Sequence, residues 1–444
     1  MAAPTLRALV REARTASCGA LVLAAAIPLV FLHPTYQPSL SRGSITIDLT
    51  DLALAAALAA ALWTLRRNGL RALTASPALW FVFGAFLLWL VVSIAWATHY
   101  DPNYPLHSRI ISAVKYVEFA TPAPVAAIVL RRAADRSAFL IAIVAWSSFL
   151  TAVAALQFLG VVNEFDGRRP VQREPSYIGI HELGVFSGVA LTIAFASIVV
   201  GRRSKLGWVG GVAGGIGVAL AAALDAVGGI AVAAAAAAAV AAWRGLLSLR
   251  RAVILAAIVI AIGAASVTLR ASAVSAFLEF LGVTPASAQT NGNVQSYSHR
   301  TLLGYIGLRI WLDHPVAGAG WQESHEPAAF EPHLAAAHRR FPAEPNAAFP
   351  SREHRWGVQN GIIQTLADLG AVGLVLLGGV IALSLRLAVR ATRSADSERA
   401  HTATVAFGGL IVAVAVFAGT GLLPGTSVEA MLWLAVGLCA SLAD

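Results

Sequence analysis

Between residues 269 and 357 an otherwise apolar chain carries Arg300, Arg309, Arg339, Arg340, Arg352 and Arg355, interleaved with His299, His314, His325, His333, His338 and His354. Six of the 11 histidines lie in this stretch. A shorter polar segment at 163–183, NEFDGRRPVQREPSYIGIHEL, supplies Arg168, Arg169 and Arg173 ahead of His181 and Glu182. Arginine suits a phosphate or diphosphate, because its planar fork donates paired hydrogen bonds and keeps its charge. Histidine suits proton transfer, because an unperturbed pKa of about 6.5 leaves much of it neutral and able to accept a proton. At an effective dielectric of about 20, a pair of unit charges roughly 4 Å apart is worth roughly 4 kcal/mol. Two or three arginines are therefore enough to hold a diphosphate and to stabilise it as a leaving group. No Asp-rich cluster accompanies them to bind a metal, and no Gly-rich loop of the ATP-binding kind is present. The expectation is chemistry without metal, nucleotide or other cofactor.

The elements that position these residues are read from composition. The chain has 444 residues, 58% of them hydrophobic and 12% charged, with a mean hydropathy of +0.72. That charged fraction is about half the usual soluble value, so the solvent is a bilayer and membrane lipids are its neighbours. Twelve apolar stretches are long enough to cross about 30 Å of hydrocarbon. They fall near 16–33, 47–64, 77–98, 109–130, 137–162, 183–200, 206–223, 227–243, 252–269, 361–384, 401–419 and 425–441. The first could be a signal peptide, but many spans follow, and it is read as a retained helix. The formal charge of +9 comes from short basic clusters between spans, which argues for topology signals rather than nucleic-acid binding. Alternate connections hold Arg7, Arg11 and Arg14; Arg66, Arg67 and Arg71; Arg131, Arg132 and Arg136; Arg202, Arg203 and Lys205; Arg244, Arg250 and Arg251; and Arg386, Arg390, Arg393 and Arg399. This asymmetry predicts both termini inside and the long loop outside. The expected fold is an all-α polytopic membrane protein of about twelve transmembrane helices. Residues 1–269 form nine spans, 270–357 a large, partly helical external loop carrying the chemistry, and 358–444 three more spans.

Smaller features fit this scheme. Lys115 and Glu118 are three residues apart on one helical face and neutralise one another. Asp225, beside Gly228 and Gly229, is read as a solvated hairpin tip, and the small residues of 206–243 as a surface for close helix contact. Cys18 and Cys439 sit in opposite terminal apolar segments and are read as packing residues rather than a disulfide.

The external loop then yields two motifs. The run SHRTLLGYIGLRIWLDHPVAGAGW, Ser298 to Trp321, is an amphipathic helix through Arg309 to Asp313, stopped by Pro315, with glycines permitting a tight turn. It resembles the segment of the O-antigen ligase and polymerase superfamily in which an arginine precedes an Asp-His-Pro and a glycine turn by one short helix. Arg300 takes that arginine's place. The run VQNGIIQTLADLGAVGL, Val358 to Leu374, resembles the ligase signature of a His, then Asn, Ser or Gln, then nine residues and Gly-x-x-Gly; Asn360, Gly370 and Gly373 fit its spacing. The segment from Arg168 to Phe186 also resembles the family's other arginine-bearing loop. At the signature histidine, however, this chain has Gln359, which cannot act as a base.

The resemblance implies a GT-C-like multi-pass enzyme of the bacterial inner membrane with its active site on the periplasmic face. Such an enzyme moves O-antigen polysaccharide from an undecaprenyl-diphosphate donor to the lipid A-core acceptor in lipopolysaccharide biosynthesis. It implies that Arg300, with one of Arg168, Arg169 or Arg173, holds the diphosphate; Arg309 is a further candidate for binding substrate. Gln359 and Asn360 would orient sugar hydroxyls through their amides. With the signature histidine replaced, His354 or His338 is expected to supply the imidazole that takes the acceptor's proton. An O-antigen polymerase or a protein O-oligosaccharyltransferase of the same superfamily would share these arginines, and a lipid-linked glycan transporter is the rival from another class.

Overall fold

Each predicted apolar stretch forms helix. The computed structural model describes residues 15–42, 45–162, 172–201, 204–283, 296–422 and 424–443, and the chain is 77% helical. In order the principal helices are α1 (Cys18–Val30), α2 (Leu49–Asn68), α3 (Pro77–Tyr100), α4 (Leu106–Ala120), α5 (Pro122–Val129), α6 (Ala133–Phe158), α7 (Ile180–Val200) and α8 (Lys205–Ala221). They continue as α9 (Leu224–Trp243), α10 (Leu249–Leu269), α11 (Ala271–Phe280), α12 (Ser296–Asp313), α13 (Pro327–Arg340), α14 (Gly361–Thr392), α15 (Ser397–Thr420) and α16 (Ser427–Ala440). Among the described residues eight helices, α2, α3, α6, α7, α9, α10, α14 and α15, are long and apolar enough to cross a membrane. The other four expected spans are helical but shorter. Helices α1, α8 and α16 have 13, 17 and 14 residues, and the 109–130 stretch breaks at Thr121-Pro122 into α4 and α5, where proline removes a donor and crowds the preceding turn. A departure from the all-α expectation is a short antiparallel pair, β1 (Ser39–Arg42) and β2 (Ile45–Asp48), with Ser39 opposite Asp48.

Polar residues stand where helices begin. Asp48 and Asp51 form a capping box on α2, Asp396 accepts from the Glu398 amide at the head of α15, and the Asn360 side chain accepts from the Ile362 and Ile363 amides at the head of α14. The centre of the bundle is α7, enclosed by α8, α9 and α15. Gly210 and Gly214 of α8 lie so close to the Ala190 and Ser187 carbonyls that a Cβ would meet them at 2.9 and 2.5 Å, the close approach expected of small residues between apolar helices. The outer faces of α3 and α10 expose Phe81, Leu88, Val253 and Ile260, as lipid contact allows. Lys115 of α4 pairs with Glu118 at 3.3 Å, as expected, and also with Asp51 of α2.

The described basic clusters gather at one end of the bundle. Arg132 donates to the Thr15 carbonyl, Arg244 to that of Ser394, and Arg399 to that of Leu442, while Arg393 lies over the Trp243 ring. Arg7, Arg11, Arg14, Arg202 and Arg203 lie outside the described residues. The first turns of α7 and α9 and the whole of 296–360 meet at the opposite end.

Candidate functional site

Two motifs build this end by locking together through their backbones. Helix α12 buries Leu302, Leu303, Ile306 and Ile310, at helical spacing, against Phe330 and Ala337 of α13 and Phe349. It stops at Asp313, before Pro315, and the chain turns through Gly318 and Gly320, both with positive φ. Opposite, α14 is interrupted at Gly370, with φ of 67° and ψ of −169°. The interruption frees carbonyl groups that a continuous helix would use. Ala319 donates to the Ala367 carbonyl at 2.8 Å and Gly320 to that of Asp368 at 2.9 Å, while Ala371 and Val372 donate back to the Pro315 and Val316 carbonyls at 2.9 and 3.2 Å. The Trp89 indole of α3 takes the Leu369 carbonyl at 2.9 Å. Below the turn Trp321 is fully buried, its indole on Ser112 at 2.8 Å and its carbonyl accepting from the Tyr104 hydroxyl at 2.6 Å.

This lock fixes the first turn of α12 over the heads of α7 and α9. The Arg300 guanidinium donates through Nη1 to the Gly419 carbonyl at 2.6 Å, and its Nη2 lies 3.1 Å from His181 Nε2. His181 Nδ1 is 2.9 Å from Asp225 Oδ2, and Asp225 Oδ1 accepts from the Ala226 amide. The expectation of Asp225 as a solvated hairpin tip is corrected: its side chain is 10% exposed and held by an imidazole. Burial pulls the Arg300 guanidinium below the usual arginine range, with Asp225 opposing that effect, and an arginine so placed stays charged.

Two cavities meet at this chain of side chains. The larger, of about 960 Å³, has the cations Arg270, Arg300 and Arg340 and the carboxylates Asp225, Glu279 and Glu344 among the aromatic side chains Phe277, Phe280, Tyr297, Tyr305 and Phe341. The smaller, of about 410 Å³, is polar, with Glu182, His325, Arg355, Thr420 and Thr426 in its wall. His181, Arg300 and Gln359 belong to both walls.

The sequence candidates divide accordingly. Arg300, Gln359 and Asn360 line the larger cavity, Gln359 the smaller as well, and the Asn360 oxygen is committed to capping α14. Arg309 lines neither cavity; its Nε lies 3.1 Å from the Tyr305 hydroxyl. Arg173 acts electrostatically on the Tyr297 hydroxyl at the cavity wall, and Arg168 and Arg169 lie outside the described residues. His338 and His354 are not brought to Arg300: each is exposed, His338 stacked on Phe349 with centroids 3.7 Å apart and His354 on Trp356 at 5.9 Å. The histidine that does reach Arg300 is His181, which sequence reasoning used only as a helix start. Its signal was a histidine in the first turn of an otherwise apolar span. Arg270 and Arg340 were missed as site residues because their place depends on how α11 and α13 fold against α12. Among the described residues no group of three or more His, Cys, Asp or Glu side chains converges as metal ligands would.

A buried acidic group underlies the smaller cavity. Glu326 is held by Arg109 and Arg355, whereas Glu323, 3% exposed, forms no salt bridge among the described residues and feels Arg109 only at longer range. Burial pushes the Glu323 carboxyl up to about 8, with Asp101, Glu326 and Asp368 adding to the effect. A carboxyl with a folded pKa above its unfolded value binds its proton more tightly when folded, so the stability it contributes is lost as pH rises from about 4.5 to 8. The slope approaches about 1.4 kcal/mol per pH unit in that window. Glu323→Gln should therefore flatten the fall in melting temperature between pH 5 and pH 8 in detergent; a variant with the wild-type pH dependence would show that Glu323 is ionised throughout.

No protein-family model matches the chain, and no curated protein gives a significant match.

Proposed function

We propose that the protein is a metal-independent glycosyltransferase of the O-antigen ligase kind, moving a polysaccharide from a polyprenyl diphosphate to the sugar of a lipid A-core acceptor. The observation that carries this reading is the junction of two chambers at Arg300, one aromatic-walled with three arginines and three carboxylates, the other smaller, with Thr420 and Thr426 beside Glu182 and Arg355. A lipid diphosphate presents one anionic group on an apolar tail, which matches the larger chamber. The acceptor sugar would enter the smaller one. Its hydroxyl attacks the anomeric carbon while the diphosphate leaves, and single displacement inverts that carbon. Arg300, with Arg270 and Arg340, would hold the departing charge. Within this reading the four shorter helical stretches complete a twelve-span, GT-C-like bundle. The basic end faces the cytoplasm with both termini, and the cavities face the periplasm of a bacterial inner membrane.

Purified protein supplied in detergent with both lipid substrates should form product without a second compartment. Its absence from well-folded protein would reject the enzyme in favour of a transporter. Cells lacking the protein separate ligase from polymerase, since loss of ligation leaves bare lipid A-core and loss of polymerisation leaves core bearing single repeats. In the same assay His338→Ala and His354→Ala should each keep transfer within about threefold of wild type, because neither lines a cavity. A loss of about 10²-fold or more in either would restore that histidine as a general base.

A further inference from the structure

Single displacement needs a proton acceptor where the two cavities join, because the attacking hydroxyl and the anomeric carbon must meet there. Three side chains stand in both walls: His181, Arg300 and Gln359. An arginine is always protonated and an amide is not basic, so the imidazole alone of these can take up a proton. We propose that His181 is the general base of the transfer reaction, oriented by Asp225, and that Arg300 covers its basic nitrogen until a diphosphate draws the guanidinium away. This rests on the glycosyl-transfer reading above.

The geometry supports each part. With Nδ1 2.9 Å from a carboxylate oxygen, the ring carries its proton on Nδ1, a tautomer assigned from its partners. The Nε2 lone pair is then turned to the Arg300 guanidinium at 3.1 Å. Base, orienting carboxylate and reacting site are thus in the order that activates a hydroxyl. Asp225 is held in turn by the Ala226 amide and approaches closely because position 419 is glycine: a Cβ there would lie 2.5 Å from Asp225 Oδ2. Among the described residues the charged and titratable groups facing His181 are Asp225 from α9, Arg300 and Tyr297 from α12, Glu182 on its own helix with His33 beside it, His325 and Arg355 across the smaller cavity, and Arg270, Glu279, Arg340 and Glu344 across the larger. His325 is a poor rival, since burial lowers its pKa to about 4 and so leaves it a weak base at neutral pH.

Arg300 at present donates to a neutral carbonyl and a neutral imidazole. Diphosphate oxygens are better acceptors, because hydrogen bonds to an ionised group are about twice as strong. Once the guanidinium turns to them, Nε2 is open. The acceptor O–H proton passes to Nε2 while that oxygen bonds to the anomeric carbon. The bond from that carbon to the diphosphate oxygen breaks, and its electron pair leaves with the diphosphate. Asp225 stabilises the imidazolium, which later returns its proton to the departing diphosphate or to water.

The full-length protein in detergent, with lipid-diphosphate donor and core acceptor, tests this. His181→Gln should lower kcat by about 10²- to 10⁴-fold with the donor KM within about threefold, and should lose the acidic limb of the wild-type pH profile. His181→Gly should recover part of the rate with added imidazole. Inorganic pyrophosphate should raise labelling of His181 by diethyl pyrocarbonate in wild type but not in Arg300→Ala, where the nitrogen is already open. His181→Gln turning over within threefold of wild type, while Arg300→Ala is inactive, overturns the proposal and leaves the glycosyltransferase reading standing. A slow His181→Gln with an unchanged pH profile and no imidazole rescue also overturns it, since the residue would then be structural. Labelling that pyrophosphate does not raise overturns the covering role, and a wild-type protein that forms no product overturns both readings.

Discussion

Arg300→Ala should leave a folded protein that transfers glycan about 10²- to 10³-fold more slowly than wild type, the loss typical of removing one charge-stabilising group from a reacting centre. Its guanidinium stands in the walls of both cavities and, among the described residues, its hydrogen bonds go to a carbonyl and an imidazole. The hydrophobic packing of α12 rests on Leu302, Leu303, Ile306 and Ile310 instead, so the fold has little to lose. Arg300→Lys should recover only part of the rate, because a point charge cannot reproduce a planar fork that serves two oxygens. Arg309→Ala, on the same helix but outside the cavity, should stay within about threefold. Initial rates at saturating donor, taken beside melting temperatures, decide the matter; a near-normal rate for Arg300→Ala removes the residue from the site.

The second large effect is expected in stability rather than rate. At Gly370 an alanine Cβ would lie 2.2 Å from the Val316 carbonyl oxygen and 2.5 Å from the Gly318 nitrogen, in a backbone with φ of 67°. With ψ of −169° that backbone lies in a region open essentially to glycine alone, and an L side chain there costs about 1 to 3 kcal/mol. Pushing the 315–320 turn away threatens four backbone hydrogen bonds, and each buried group left unpaired costs about 1 to 3 kcal/mol. Gly370→Ala should therefore lower the melting temperature by 10 °C or more, on the order expected of a multi-kcal/mol loss, or fail to accumulate. Gly378→Ala is the control: on the same helix a Cβ there meets nothing within 4 Å, so it should be neutral or slightly stabilising. Equal melting temperatures for the two variants would show that the turn does not depend on the close approach.

What the sequence revealed follows from which forces are local. Helix positions were legible because an apolar run of about twenty residues has few outcomes in lipid, though only eight of the twelve stretches give helices long and apolar enough to cross a membrane. Lys115 and Glu118 were legible as a pair because three residues make a helical neighbour; Asp51, 64 positions from Lys115, was not. Arg300 was found through the motif around it, and Pro315 as a helix stop through its own covalent structure. The contact of Arg300 with His181 joins residues 119 positions apart, and that of His181 with Asp225 joins residues 44 apart; no periodicity encodes either. Asp225 was misread for the same reason, since a carboxylate at a helix start looks solvated until its partner from another helix is known. His354 was chosen for its nearness in sequence to the second motif and His338 for its place beside Arg339 and Arg340 in mid-loop, yet their rings stack on Trp356 and Phe349 instead.

The junction of the 315–320 turn with the interrupted helix at Gly370 is made by main-chain groups, which every residue type except proline carries in full. The other side chains along the turn can therefore drift through substitution while the hydrogen bonds persist, provided Gly318, Gly320 and Gly370 are kept. Spacing has no such freedom. One residue inserted or deleted between Pro315 and Gly320 would shift each donor past its acceptor and, through α12, draw Arg300 away from His181. Descendants of this gene should accordingly accumulate exchanges in the turn far more readily than changes in its length.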